Sequence, residues 1–174
     1  MADATEKSTT VLVVDDSAFM RRLIAELVES SGTFRVVGTA GDGIEALQKI
    51  RELKPDVVTL DIEMPRLNGL QALEQIMAEM PRPVVMLSAA GSELGNEMTL
   101  RALERGALEF VRKPSGPVSI DLASVRTAEA CRHVLTTVLA AIARGEIAPA
   151  EGARIARRVR AQLHAARCLA RLRA

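Results

Sequence analysis

The chain has no Trp or Tyr and only three Phe in its 174 residues. With so few aromatics, the core must be assembled from Val, Ile, Leu, Ala and Met, a set that suits parallel strands covered by helices. Cys131 and Cys168 are two lone cysteines without CxxC spacing. A reducing compartment is expected, with both cysteines as helix-filling residues. His133 and His164 sit in Arg/Ala-rich stretches and read as surface helix residues rather than general bases. No apolar run approaches the ~20 residues that span a bilayer. The opening MADATEKSTT is polar and acidic where a signal peptide would be basic and then apolar. Membrane insertion is therefore not expected, and a cytoplasmic location is.

What is present falls into two parts of opposite charge. Residues 1–122 carry 13 Lys+Arg against 19 Asp+Glu, whereas residues 123–174 carry 10 Arg against 3 Glu. The net charge of +1 thus conceals an acidic body and a basic tail. Hydrophobic residues make up 48% of the chain, enough for a continuous core, so wholesale disorder is not expected. One α/β domain with a modest appendage suits this length.

Within the acidic body, short aliphatic runs alternate with helical periodicity. Residues 11–14 form a strand candidate ending in Asp15 and Asp16. Ser17 can cap a helix in which Met20, Leu23, Ile24, Leu27 and Val28 recur at three- and four-residue spacing before Gly32. Residues 34–37 are a second strand, and Gly41, Asp42 and Gly43 make a turn before a helix through Ala46, Leu47, Ile50 and Leu53. Residues 57–60 run into Asp61, Pro65 and Gly69 mark a loop, and Leu73, Ile76, Met77 and Met80 mark a third helix. Residues 83–87 end at Ser88, a helix with Met98, Leu100 and Leu103 closes at Gly106, and residues 108–111 lead to Lys113 and Pro114. Five such alternations with short links predict a parallel sheet with helices on both faces.

In sheets of this kind, function collects at the carboxyl ends of the strands. Here those ends read Asp15 and Asp16, then Asp61, Ser88 and Lys113. Taken singly, each has an ordinary explanation: a strand-end Asp caps a helix, and a loop Ser or Lys is a solvated surface residue. The four ends together are harder to explain that way. Three carboxylates cannot all stay ionised at close range without a cation, because repulsion raises at least one pKa. Oxygen-only donors point to a hard ion, Mg²⁺ or Mn²⁺. Asp61, placed centrally, could attack phosphorus as a carboxylate nucleophile. Lys113 would add positive charge for the phosphoryl oxygens and Ser88 a hydroxyl donor. Phosphoryl transfer requires little beyond such positioning and charge stabilisation.

The segments VLVVDDSAFMRRL, VVTLDIEMPRLNG, PVVMLSA and ALEFVRKP resemble the signature segments of bacterial two-component receivers, over roughly residues 9–117. The resemblance implies a flavodoxin-like five-stranded parallel sheet of order 2-1-3-4-5. It implies Asp15 and Asp16 as the acidic metal pair, Asp61 as the phosphoacceptor and Glu63 as the donor of a backbone carbonyl to the metal. It further implies Ser88 as the switch hydroxyl, Lys113 as the phosphate-sensing lysine and Phe110 as a rotamer-switching aromatic; a buried core Phe is an equally good reading of Phe110. Pro114 would follow a cis peptide that aims Lys113 into the site. The implied partners are a histidine kinase and an output protein whose identity the sequence does not reveal.

Within that family, TLDIEMPRLNGL, EMTLRALERGALEFVRKPSGP and SIDL resemble the receiver half of the chemotaxis protein-glutamate methylesterases. The esterase half of that family works through a Ser/His/Asp triad, but residues 115–174 contain no G-x-S-x-G-like nucleophile turn. Esterase activity is therefore not expected, and a truncated or fused methylesterase stands as the rival reading.

The organisation expected is a flexible N-terminus over 1–9, a receiver core over 10–117, a linker with the fifth receiver helix over 118–144, and a basic helical tail over 145–174. In the tail, Leu135, Val138, Leu139 and Ile142 form one apolar stripe, and Ile155, Val159, Leu163, Ala166 and Leu169 form another. Ten arginines meet the electrostatic requirement for binding DNA. They are spread around the helix without a helix-turn-helix pattern, so a solvated helix face is the expectation and nucleic acid is not the expected partner.

Overall fold

The computed structural model describes residues 8–30, 32–88 and 101–113. Five strands, β1 (Thr9–Val14), β2 (Phe34–Ala40), β3 (Val57–Asp61), β4 (Val84–Ser88) and β5 (Glu109–Arg112), pair in parallel in the order β2-β1-β3-β4-β5. Three helices, α1 (Ala18–Glu29), α2 (Gly43–Leu53) and α3 (Gly69–Glu79), connect the first four strands. Residues 101–104 are helical ahead of β5. The chain steps outward from β1 to β2 and then back across to β3. Strand order therefore reverses between β1 and β3, where the ends of both strands open a crevice. This is the sheet that the resemblance implied.

Both faces of the strands are buried, which is why they read as continuous apolar runs rather than as alternating ones. Leu12 and Val14, Val58 and Leu60, and Val84 and Met86 pack against Ala46, Leu47 and Ile50 of α2 and Ala72, Leu73 and Ile76 of α3. On the other face, Val11, Val13, Val57, Val85, Leu87 and Val111 meet Ile24 and Val28 of α1.

Side-chain caps set the helix starts. Ser17 accepts from the Met20 amide at 3.4 Å, and Asp42 accepts from the Ile44 and Glu45 amides at 2.8 and 2.9 Å. Asn68 and Gln71 form a reciprocal capping box at α3.

Several boundaries differ from the sequence expectation. Helix α1 stops at Ser30 rather than at Gly32, which lies beyond it with φ +70°. Gly43 is the first residue of α2 rather than part of a preceding turn. Strand β2 continues past Gly38 to Ala40 because its pairing with β1 skips Val37, a bulge that lets the ladder run on. Strand β5 lies one residue later than expected, since the register with β4 pairs Val85 with Glu109. The expected helices over 118–174 lie outside the described residues, as do both cysteines and both histidines. No helix of the described residues is long and apolar enough to cross a membrane.

Thr59, in the middle of β3 between Val13 and Val85, is fully buried and its hydroxyl has no hydrogen-bond partner. An unpaired buried polar group costs about 1–3 kcal/mol. Thr59→Val keeps the shape and removes that cost. Urea unfolding should move to a higher midpoint, by the equivalent of about 1 kcal/mol; an unchanged or lower midpoint would mean that the hydroxyl is satisfied in solution.

Candidate functional site

The strand register brings the candidate residues together. Val14 pairs with Leu60, so Asp15 and Asp61 leave adjacent strands at the same level. Asp61 pairs with Leu87, which sets Ser88 one residue further along β4. Ser88 pairs with Arg112, and the Lys113 amide donates to the Ser88 carbonyl at 2.8 Å. The carboxyl ends of four neighbouring strands thus converge on one edge of the sheet.

Charges meet there at short range. Lys113 Nζ lies 2.6 Å from Asp15 Oδ2 and 2.7 Å from Asp61 Oδ2. Asp15 is fully buried, Asp61 is 2% exposed and Lys113 is 9% exposed, whereas Asp16 stands exposed at the rim. The Ser17 amide holds Asp15 Oδ1 at 2.9 Å, while Asp15 Oδ2 has no hydrogen bond of acceptable geometry and meets the ammonium as an ion-pair contact. Behind the pair, Arg21 Nη1 donates to the carbonyls of Asp15 at 2.6 Å and Asp16 at 3.0 Å, fixing the backbone that carries both.

Burial pushes the Asp61 carboxyl up to about 6. The Lys113 ammonium opposes this shift, and the charges of Asp15 and Asp16 add to it. For Lys113 itself, burial works against the charged form, but the two carboxylates outweigh it and hold the ammonium above its ordinary value.

The donor set fits a hard divalent cation. Carboxylate oxygens of Asp15, Asp16 and Asp61 all lie within 4.8 Å of one another. All donors are oxygens, as such an ion prefers. Three carboxylates facing one ammonium leave two negative charges uncompensated, and Asp15 Oδ2 is a buried acceptor without a hydrogen bond. Beside Asp16 lies an open depression of about 480 Å³, lined also by Ile62, Glu63, Met64, Pro65 and Asn68.

The structure thus gathers Asp15, Asp16, Asp61, Ser88 and Lys113 at one edge, with the Glu63 side chain exposed beside the depression. Phe110 is set apart from them: it is half-buried, pairs with Met86 and packs on the core cluster shared with α2 and α3. Pro114 and its peptide bond lie outside the described residues. Sequence reasoning missed Arg21, whose role depends on a side chain folding back from α1, and the structural need for Gly69. A Cβ on Gly69 would come within 1.9 Å of the Asp61 carbonyl, so only glycine lets α3 start against the backbone of Asp61. The N-x-x-Q pattern at Asn68 and Gln71 was a readable signal for that helix start.

The raised pKa of Asp61 has a consequence for stability. Between its ordinary value of 3.8 and about 6, the folded protein holds a proton that the unfolded chain has lost. In protein free of divalent ions, ionised Asp61 therefore costs stability above pH 6, and the cost fades as pH falls toward 4. Asp61→Asn should be more stable than wild type at pH 7.5 without Mg²⁺, by about 1–3 kcal/mol. The gain should shrink between pH 6 and pH 4. A gain independent of pH in thermal melts would contradict this account.

Comparison with known proteins agrees with the geometry. The response regulator receiver domain family matches residues 11–123. The chain is 55% identical over 122 residues to a protein-glutamate methylesterase/protein-glutamine glutaminase of Symbiobacterium thermophilum, covering 70% of this chain and 33% of that protein. It is 57% identical over 116 residues to the corresponding protein of Bacillus licheniformis, covering 67% of this chain and 32% of that one. The chain therefore spans about a third of the length of these curated relatives. Among solved structures, it resembles the response regulator domain of Thermotoga maritima CheB, with TM-score 0.65 and 44% identity over 76% of this chain and 97% of that one. It also resembles a chain of the CheX-CheY-BeF3-Mg+2 complex from Borrelia burgdorferi, with TM-score 0.58 and 32% identity over 74% of this chain and 88% of that one. With its sheet order, its Asp15/Asp16/Asp61 cluster and a family match over most of its length, this chain belongs to the response regulator receiver domain family, and it is similar to the receiver part of the methylesterases.

Proposed function

We propose that the chain is the phosphorylation-controlled signalling unit of a chemotaxis-type two-component pathway in the cytoplasm, accepting a phosphoryl group on Asp61 from a histidine kinase and changing its hold on an output protein. The observation that carries this reading is the Lys113 ammonium placed 2.7 Å from Asp61 in a cluster whose charge calls for a divalent cation. Residues 10–117 would form the receiver unit, with 118–144 completing it and 145–174 as an appended basic segment.

In the reaction, one Asp61 carboxylate oxygen forms a bond to phosphorus as the bond from phosphorus to the donor's leaving group breaks. The side chains of Asp15, Asp16 and Asp61 and the Glu63 carbonyl would hold Mg²⁺ or Mn²⁺, which supplies positive charge to the phosphoryl oxygens. Lys113 gives up part of its contact with Asp61 to neutralise the new phosphoryl group. Ser88, on the neighbouring strand, donates its hydroxyl to a phosphoryl oxygen. Phe110, packed on the edge of the core beside Met86, turns inward in response. A coupling of a few kcal/mol suffices for such a two-state shift.

The similarity to methylesterases raises a second reading, hydrolysis of glutamyl methyl esters. It is not favoured for the matched residues, because acyl transfer needs a positioned nucleophile, base and oxyanion hole, and the part of this chain that matches those enzymes is the part that matches the receiver domain family.

Incubated with Mg²⁺ and a small acyl phosphate, the wild-type protein should gain one acid-stable, base-labile phosphoryl group, and Asp61→Asn should gain none. Full labelling of Asp61→Asn would assign the acceptor elsewhere. Ser88→Ala should still be labelled yet lose most of the amide chemical-shift change at residues 101–113 that labelling causes in wild type. Equal shift changes in the two proteins would remove Ser88 from the switch.

A further inference from the structure

The loop from Ile62 to Asn68 supplies five of the six residues lining the depression beside Asp16. Its backbone is strained at one residue. Arg66 has φ +64°, and the Leu67 amide closes a three-residue turn onto the Pro65 carbonyl at 2.7 Å. A turn of this hand at a residue with a side chain is rare and costs energy, so something outside the turn must hold it.

The holding contacts come from the start of α2. The Arg66 guanidinium pairs with Asp42 Oδ2. The Gly43 amide donates to the Leu67 carbonyl at 3.1 Å. A Cβ on Gly43 would lie 2.6 Å from that same carbonyl, so the two backbones can meet only at glycine. Asp42 is almost fully buried, and its two oxygens divide their tasks. Oδ1 caps α2 through the Ile44 and Glu45 amides, and Oδ2 takes the arginine. Capping alone would be served by a neutral Asn or Ser. The charge of Asp42 is accounted for by Arg66.

The same segment touches the other side of the acidic cluster. Two residues before Asp42, the Ala40 carbonyl accepts the Asp15 amide at 3.1 Å. Residues 40–43 therefore bridge the strand end that carries Asp15 and the loop that carries Glu63.

We infer that Asp42, Gly43 and Arg66 form a latch that holds the Ile62–Asn68 loop in its ion-binding shape, which makes Asp42 and Arg66 positioning residues for divalent-ion binding at the acidic cluster. The inference deepens the reading of that cluster as a phosphorylation site and rests on it. The latch reaches the ion only through the loop backbone. Loosening it lowers affinity for the ion and leaves the chemistry of Asp61 intact once the ion is bound.

Titration with Mg²⁺ alone, followed by amide chemical shifts, tests this directly. Asp42→Asn keeps the helix cap and removes the charge; Arg66→Ala alters an exposed side chain. Each should weaken Mg²⁺ binding by about 10-fold, the scale seen when groups supporting metal ligands are removed. The double variant should be no weaker than either single one, because both remove the same contact. Arg66→Lys, which keeps the charge, should recover part of the loss. The Mg²⁺ concentration that half-saturates labelling by an acyl phosphate should rise by the same factor, with the rate at saturating Mg²⁺ close to wild type. Wild-type Mg²⁺ affinity in Asp42→Asn and Arg66→Ala, or additive losses in the double variant, would overturn the latch. Labelling of Asp61→Asn as in wild type would instead overturn the acceptor assignment, while the Mg²⁺ titration would still decide on the latch.

Discussion

A buried ammonium held between two buried carboxylates is an expensive arrangement, and the rest of this structure is organised around it. Lys113 reaches Asp15 and Asp61 within 2.7 Å while all three are nearly excluded from water. Charges in such a place persist only when paired and well positioned. Removing the ammonium would leave two carboxylates facing each other, with a third at the rim. The positions that make the triad possible come from three different strands, so the parallel ladder is itself part of the site. Were β1 or β5 displaced by one residue, the side chains would point to the opposite face of the sheet.

Around the triad, contacts to the backbone that carries the acidic residues set the geometry. The Arg21 guanidinium grips the carbonyls of Asp15 and Asp16, the Ser17 amide holds Asp15, and Gly69 allows α3 to begin against the Asp61 carbonyl. On the opposite side, the Asp42–Arg66 pair and the Gly43–Leu67 contact restrain the loop that follows Asp61. The acidic residues are thus supported from α1, from α3 and from the start of α2. A site supported in this way can hold its carboxylates in place at a cost visible in the raised pKa of Asp61, which comes chiefly from burial, with the charges of Asp15 and Asp16 adding to it.

The burial that shapes the site also suits the phosphoryl transfer proposed for it. A carboxylate partly desolvated and balanced by a nearby ammonium is a better nucleophile than one fully hydrated. The open depression beside Asp16 leaves one side of the cluster accessible. The closed side is the apolar sheet itself, where Leu60 and Leu87 are fully buried directly below the acidic edge.

By itself the sequence determined the alternation of strands and helices, the residues at each strand end and the acidic character of the cluster. These follow from periodicity and residue type, which are local. It also showed the cap at Ser17, because a capping side chain bonds to amides only two or three residues away; the same local signal at Asn68 went unread. Strand ends were read less well: β2 runs on to Ala40 through a bulge, and β5 starts one residue late, because partner strands decide where a ladder stops. The strand order came from a family resemblance rather than from spacing, since parallel strands joined by helices leave their neighbours unspecified in local pattern. Only the tertiary structure revealed that Asp42, apparently one turn residue among several, carries a buried charge facing Arg66 from 24 positions further along the chain. The same is true of Arg21 and of the closeness of Gly69 to Asp61. Such contacts join residues through space, and a chain's local pattern holds no record of which distant segment will fold against it.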